Sequence, residues 1–169
     1  MRYTQLSLVA LLVLILAVFP LVGCTSTDEI QTFVGKTQYI SMRARAFNKE
    51  ALNVINAMSA DELSTLGSNK AHYCSYQHDR LLQDLASLEC PKECLKLRDY
   101  MREYLTLSSK AWSKYYLNYS LGDESHWIQA NSYKGDADRA LMSAYGERER
   151  LGKKYNFDPT MPIPIGGDE

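Results

Sequence analysis

Apolar and small residues return along this chain at alternating steps of four and three. Phe33, Thr37, Ile40, Ala44, Phe47, Ala51, Val54 and Met58 follow that rule, which places side chains on one stripe of an α-helix. The stripe predicts a first helix over about Glu29–Met58, and Ser26 with Glu29 has capping-box spacing at its start. A second stripe, Ala71, Cys74, His78, Leu81, Leu85 and Leu88, predicts a helix from near Asn69. The third, Cys94, Leu97, Met101, Tyr104, Ser108, Ala111, Tyr115 and Asn118, follows Pro91, whose missing N–H suits a first helical turn. The fourth reaches about Tyr155 with Ala137, Leu141, Ala144 and Leu151 inward, Trp127 and Tyr133 near its start, and Asp123 as N-cap.

Between the first two stripes, Ser59–Gly67 pairs Ser59 with Glu62 at capping-box spacing and ends on glycine, a helical turn inside a connection. Strand signals are nearly absent. Four helices of roughly 20–30 residues with short connections favour antiparallel neighbours. The expectation is an all-α, up-down-up-down four-helix bundle over residues 29–157. The Pro-rich C-terminal tail, residues 158–169, carries Pro159, Pro162 and Pro164 ahead of paired glycines and reads as extended or loose. "SLGD" and "FDP" are similar to fragments of the tetratricopeptide repeat, but helices about twice as long as that repeat's helices and the missing 34-residue self-similarity disagree with it.

The N-terminus changes where this bundle is expected to reside. Arg2 and the amino terminus precede the unbroken apolar run Leu8–Phe19, and Pro20 interrupts it just before "LVGC". A membrane-spanning helix needs about 20 apolar residues, so an uncleaved anchor is the competing reading. Leu21, Val22, Gly23 and Cys24 resemble, position for position, the lipobox of prokaryotic lipoprotein signal peptides. That resemblance covers the first 24 residues only. It implies removal of residues 1–23, a diacylglyceryl thioether on Cys24, and residence as a lipid-anchored protein on the extracytoplasmic face of the cell membrane. Residues 24–28 then form a short lipidated tether, which keeps the domain close to the bilayer. Thr25, directly after the lipidated position, does not discriminate inner from outer membrane.

Composition adds exclusions. Nineteen basic residues against 20 acidic ones, with no stretch of one sign, leave no footprint for nucleic acid. Twelve tyrosines and 46% hydrophobic residues suit one packed domain.

With Cys24 assigned to lipid, Cys74, Cys90 and Cys94 remain in a compartment where disulfides persist. Sixteen residues of continuous helix would separate Cys74 from Cys90 by about 24 Å, beyond the ~7 Å Cα reach of a disulfide. The expected bridge is Cys90–Cys94 across "CPKEC"; free thiols and a metal or redox site are the alternatives there. Cys74 would be a solitary buried thiol.

Cys74 and His78 stand four apart on one face, the spacing of a metal half-site. A core thiol beside a histidine satisfied by the Tyr104 hydroxyl explains them as well, so no metal and no cofactor is assigned. Asp123 and His126 are three apart at a helix start, but a di-iron bundle needs two such pairs. The run Ala111–Trp127 holds Trp112, Tyr116, Tyr119 and Trp127 beyond what a seam requires, which suits either a thick core or a recognition surface. It also contains an Asn-x-Ser sequon at Asn118. Motifs for hydrolase, phosphate-binding or haem-attachment chemistry are missing, and no catalytic residue is assigned. The expected role is a non-catalytic, lipid-anchored helical module that binds a protein partner in the envelope. The alternative is a small-molecule or metal-binding sensor bundle, with a hydrolytic or redox enzyme behind it.

Overall fold

A computed structural model describes residues 25–166. Four long helices account for most of them: α1 Thr27–Asn56, α2 Ser68–Ser87, α3 Leu95–Leu121 and α4 Glu124–Tyr155. No strand occurs among the described residues. The expected signal segment over 1–23 and the expected lipid-attachment position Cys24 lie outside them.

Local chemistry sets each boundary. At the start of α1, Glu29 N–H donates to Ser26 Oγ (3.1 Å) and Ser26 N–H donates to Glu29 Oε2 (2.9 Å), satisfying two amides that a helix start leaves without partners. Ser59 N–H and Oγ both contact Glu62 Oε2 at 2.8 Å, and this fixes the short helical segment before α2. α3 ends where Gly122 takes the left-handed conformation (φ 69°), and Asp123 Oδ1 then accepts from Ser125 N–H (2.8 Å) to open α4. Asn156 (φ 55°) closes α4 behind Lys153 and Lys154, whose charges suit the negative end of the helix dipole.

Cross-helix pairs give the directions. Glu50 of α1 meets Lys70 of α2, while Ser68 and Ser75 of α2 meet Ser120 and Ser109 of α3. Tyr115 of α3 meets Asn131 of α4. Successive helices are therefore antiparallel. α3 packs most extensively on α4 and next on α2, whereas α1 lies chiefly on α2.

Two apolar clusters fill the interior. The larger includes Ile30, Ile40, Leu97, Met101, Leu105 and Leu151, each such side chain worth about 1.5–3 kcal/mol of burial. The smaller, towards the turn between α3 and α4, holds Ile55, Cys74, Trp112 and Tyr115. Within α1 the apolar stripe slips at its end: Val54 is 40% exposed and Ile55 is buried. A 3.6-residue helix drifts ~20° per heptad against a strict 3.5-residue seam, so after three heptads the next position faces inward.

The chain beyond α4 is extended but docked. Ile163 N–H donates to the Gly35 carbonyl (3.0 Å), and a Cβ at Gly35 would stand 2.5 Å from Ile163 Cγ1. A Cβ at Gly152 would likewise meet Pro159 Cδ at 2.8 Å and the Phe157 carbonyl oxygen at 2.9 Å. The described part of the tail is extended, as its prolines suggest, with Pro159 and Ile163 seated against Gly152 and Gly35. Gly35→Ala should separate helix propensity, which favours alanine by roughly 1 kcal/mol, from docking. Hydrogen exchange should find the Ile163 amide losing protection on the order of tenfold, with helix content unchanged; an unchanged Ile163 amide would contradict the notch.

Candidate functional site

Asn48, at the middle of the bundle, joins three helices. Its Oδ1 accepts from Trp112 Nε1 (2.6 Å) of α3 and from the Cys74 thiol (3.7 Å) of α2. Cys74 and His78 are both buried, and His78 Nδ1 stands 2.8 Å from the Cys74 carbonyl one turn back and 3.9 Å from its Sγ. The sequence pairing of Cys74 with His78 is real, but the surroundings are closed. No group of three or more potential metal-ligating side chains occurs among the described residues.

The expected hydrogen bond from Tyr104 to His78 is corrected. His78 uses a backbone carbonyl, and both its Nε2 and the Tyr104 hydroxyl are buried without a hydrogen-bonding partner. Desolvation lowers the His78 pKa, only partly opposed by the Cys74 carbonyl and Asp79, so the ring stays neutral at pH 7. Burial pushes the Tyr104 hydroxyl up, with Tyr145 and Asp138 adding to it and Arg45 and the nearby Ser108 hydroxyl pulling the other way.

The expected Cys90–Cys94 bridge is also corrected: both residues, like Cys74, carry free thiols. The chain leaves α2 extended at Leu88 (ψ 130°) and is still extended at Pro91 (ψ 144°), so Cys90 and Cys94 do not share a helical face. Cys94 turns into the large core, while the half-buried Cys90 Sγ approaches the Pro91 carbonyl at 3.4 Å. Burial raises the Cys74 and Cys94 thiols to about 12, which leaves a thiolate fraction on the order of 10⁻⁵ at pH 7. Neither is poised as a nucleophile.

The aromatic residues do come together. Tyr115 sits at the centre of three ring contacts, with Trp112 (5.4 Å), Tyr119 (6.3 Å, stacked) and Trp127 (5.1 Å, edge-on). Burial lifts the Tyr115 hydroxyl to about 12 and raises Tyr119 as well; the Tyr115 hydroxyl donates to Asn131 Oδ1 at 2.8 Å. Trp112 and Tyr115 are core. Tyr116 is half-buried against the exposed His72 (5.5 Å), and Trp127 is 43% exposed beside Ile128 at 65% and Leu121 at 68%. The run is therefore divided between buried rings, Trp112 and Tyr115, and partly exposed ones, with Trp127 at the surface.

Sequence reasoning missed Arg148. Its guanidinium is 2% exposed and donates to the Thr37 carbonyl (3.0 Å), to Gln38 Oε1 and to Met101 Sδ (3.2 Å), over the Tyr145 ring at 5.2 Å. Desolvation lowers its pKa to about 10, so it remains a cation at pH 7. Arg148 is the first arginine of "GERER", and nothing in that charged run marks it as internal. Asn48 was equally silent, since an amide at one helix position gives no sign of its cross-helix partners.

The chain matches no protein-family model, no curated protein and no solved structure.

Thiol chemistry checks this arrangement. Without reductant, denatured full-length chain should titrate Cys74, Cys90 and Cys94 as thiols; in the native state Cys90 should react first, with Cys74 and Cys94 slower by on the order of 100-fold or more. Loss of two thiols, or Cys74 reacting as fast as Cys90, would contradict it.

Proposed function

We propose that this chain is a non-catalytic helical binding module, anchored by lipid at Cys24 on the extracytoplasmic face of the cell membrane, that docks a protein partner of the envelope. The observation that carries the reading is the apolar end of the bundle, where Leu121, Trp127 and Ile128 stand exposed over the Tyr115 ring cluster. Leu66, 52% exposed, belongs to the same end, because the start of α2 meets the end of α3 at Ser68 and Ser120 (3.1 Å). Large aromatics backed by a rigid ring cluster suit protein recognition, since their contact area comes with little side-chain freedom to lose.

Position supports the same reading. α1 begins beside the tether and ends near the aromatic end, a separation of about 45 Å for a helix of its length. A lipid at Cys24 would therefore hold the apolar end away from the bilayer, where an envelope partner can reach it. The Cys74–His78 pair, closed off and neutral, favours binding over catalysis.

Ile128 gives the cleanest test because its side chain leaves the ring cluster intact. Ile128→Asp in full-length chain should reduce co-purification of a cross-linked envelope protein from native membranes about tenfold or more, with stability within about 0.5 kcal/mol of wild type. Equal recovery by wild type and variant, or no cross-linked partner for wild type, would overturn the proposal.

A further inference from the structure

The whole chain is close to neutral, with 19 basic residues against 20 acidic ones, but the fold does not spread them evenly. Residues 57–69 and 116–131 form the end of the bundle away from the tether. They contain four carboxylates, Asp61, Glu62, Asp123 and Glu124, and no lysine or arginine. Their one basic side chain is His126, whose Nε2 stands 3.8 Å from Asp123 Oδ2. The two segments are far apart in sequence and neither is a charge run. They meet where the Ser120 hydroxyl donates to Ser68 Oγ at 3.1 Å, and where Leu63 packs against the same apolar cluster as Tyr116 and Tyr119. Folding therefore builds an acidic end that neither segment shows alone.

The carboxylates border the exposed apolar surface. On α4, Glu124 lies three and four residues before Trp127 and Ile128, on one helical face. Asp123 follows Leu121 through the Gly122 turn, and Glu62 stands four residues before Leu66. Hydrogen bonds from Ser59 and from Ser125 hold the Glu62 and Asp123 carboxyls below their ordinary range, so both are anions at neutral pH. Among the described residues, no lysine or arginine pairs with any of the four.

Building on the partner docking proposed above for this end, we infer that the segment it receives is arginine-bearing and amphipathic, with apolar side chains on Leu121, Trp127 and Ile128 and guanidinium groups on Asp61 and Glu124. Arginine fits this surface twice, because its plane stacks on an indole face and its fork matches a carboxylate. Trp127 and Glu124, one helical turn apart, offer both together. Like charge disfavours the other occupants of an apolar patch. A second copy docked end to end would bring its own four carboxylates against these, and an anionic membrane surface would be repelled.

The test uses full-length chain in phosphatidylcholine nanodiscs and two fluorescent helical peptides that share one leucine pattern. One carries arginine at its polar positions and the other glutamate, and binding is read by anisotropy against empty discs. At about 0.05 M salt, wild type should bind the arginine peptide saturably and at least about tenfold more tightly than the glutamate peptide, with the preference shrinking at about 0.5 M. Glu62 and Asp123 hold caps, so the charges are removed at Asp61 and Glu124: Asp61→Asn with Glu124→Gln should weaken the arginine peptide about fivefold or more. Ile128→Ser should weaken it by a similar factor, whereas Met142→Ser, at an equally exposed apolar position of α4, should bind as wild type does. Recovery of the cross-linked envelope partner by wild type and by Ile128→Asp is scored separately, so a partner that docks without this charge preference is told apart from a failure to dock. No saturable binding of the arginine peptide, equal affinity for the two peptides, full affinity in the Asp61→Asn, Glu124→Gln chain, or equal loss in Met142→Ser and Ile128→Ser would each overturn the inference.

Discussion

The buried Arg148 guanidinium ties α1 to α3 and α4. Arg148 reaches from α4 across α3 to the Thr37 carbonyl and the Gln38 amide of α1, touching Met101 on the way. Removing a charge from water costs several kcal/mol, and hydrogen bonds to a charged group return about 1.5–3 kcal/mol each. Three acceptors on two helices are therefore the condition on which the guanidinium stays inside. The neighbouring carboxylate offers no help: Glu147 is held by Arg150 through contacts of 2.8 and 2.6 Å. Because the acceptors lie on fixed backbone and side-chain positions, α1 meets α4 in one register.

That register divides the molecule. On the side of Arg148 nearer the tether, α1 closes against the large core, and the segment after α4 seals it through Gly35 and Ile163. Beyond Arg148, small side chains on α3 and α4 leave α1 standing off, and an open groove lies over Tyr104. Asn48 then draws α1 back to α2 and α3 through Cys74 and Trp112. The aromatic end lies past this second attachment.

Much of this was legible in the sequence, and the reason is locality. Stripes at steps of three and four, the Ser26–Glu29 box and the Asp123 cap are each decided within one or two helical turns, and four helices appear where those signals place them. The side-chain partnerships were less legible. Sequence distance placed Cys90 within reach of Cys94, but both thiols are free, and the extended backbone at Leu88 and Pro91 keeps the two off one helical face. Cys74 and His78 were read as neighbours correctly, yet His78 found a carbonyl on its own helix before any hydroxyl on another. Arg148, Asn48 and the Gly35 notch depend on residues far away in the chain, and no local pattern announces them.

The buried guanidinium is the most direct point of attack on this account. Hydrogen exchange of full-length chain carrying Arg148→Met, compared with wild type, reads the tie between α1 and the α3–α4 pair helix by helix. The account predicts that amides of α1 around Thr37–Ala44 lose protection by on the order of tenfold or more while the centres of α3 and α4 keep theirs. A uniform change across all four helices, or an unchanged α1, would contradict it.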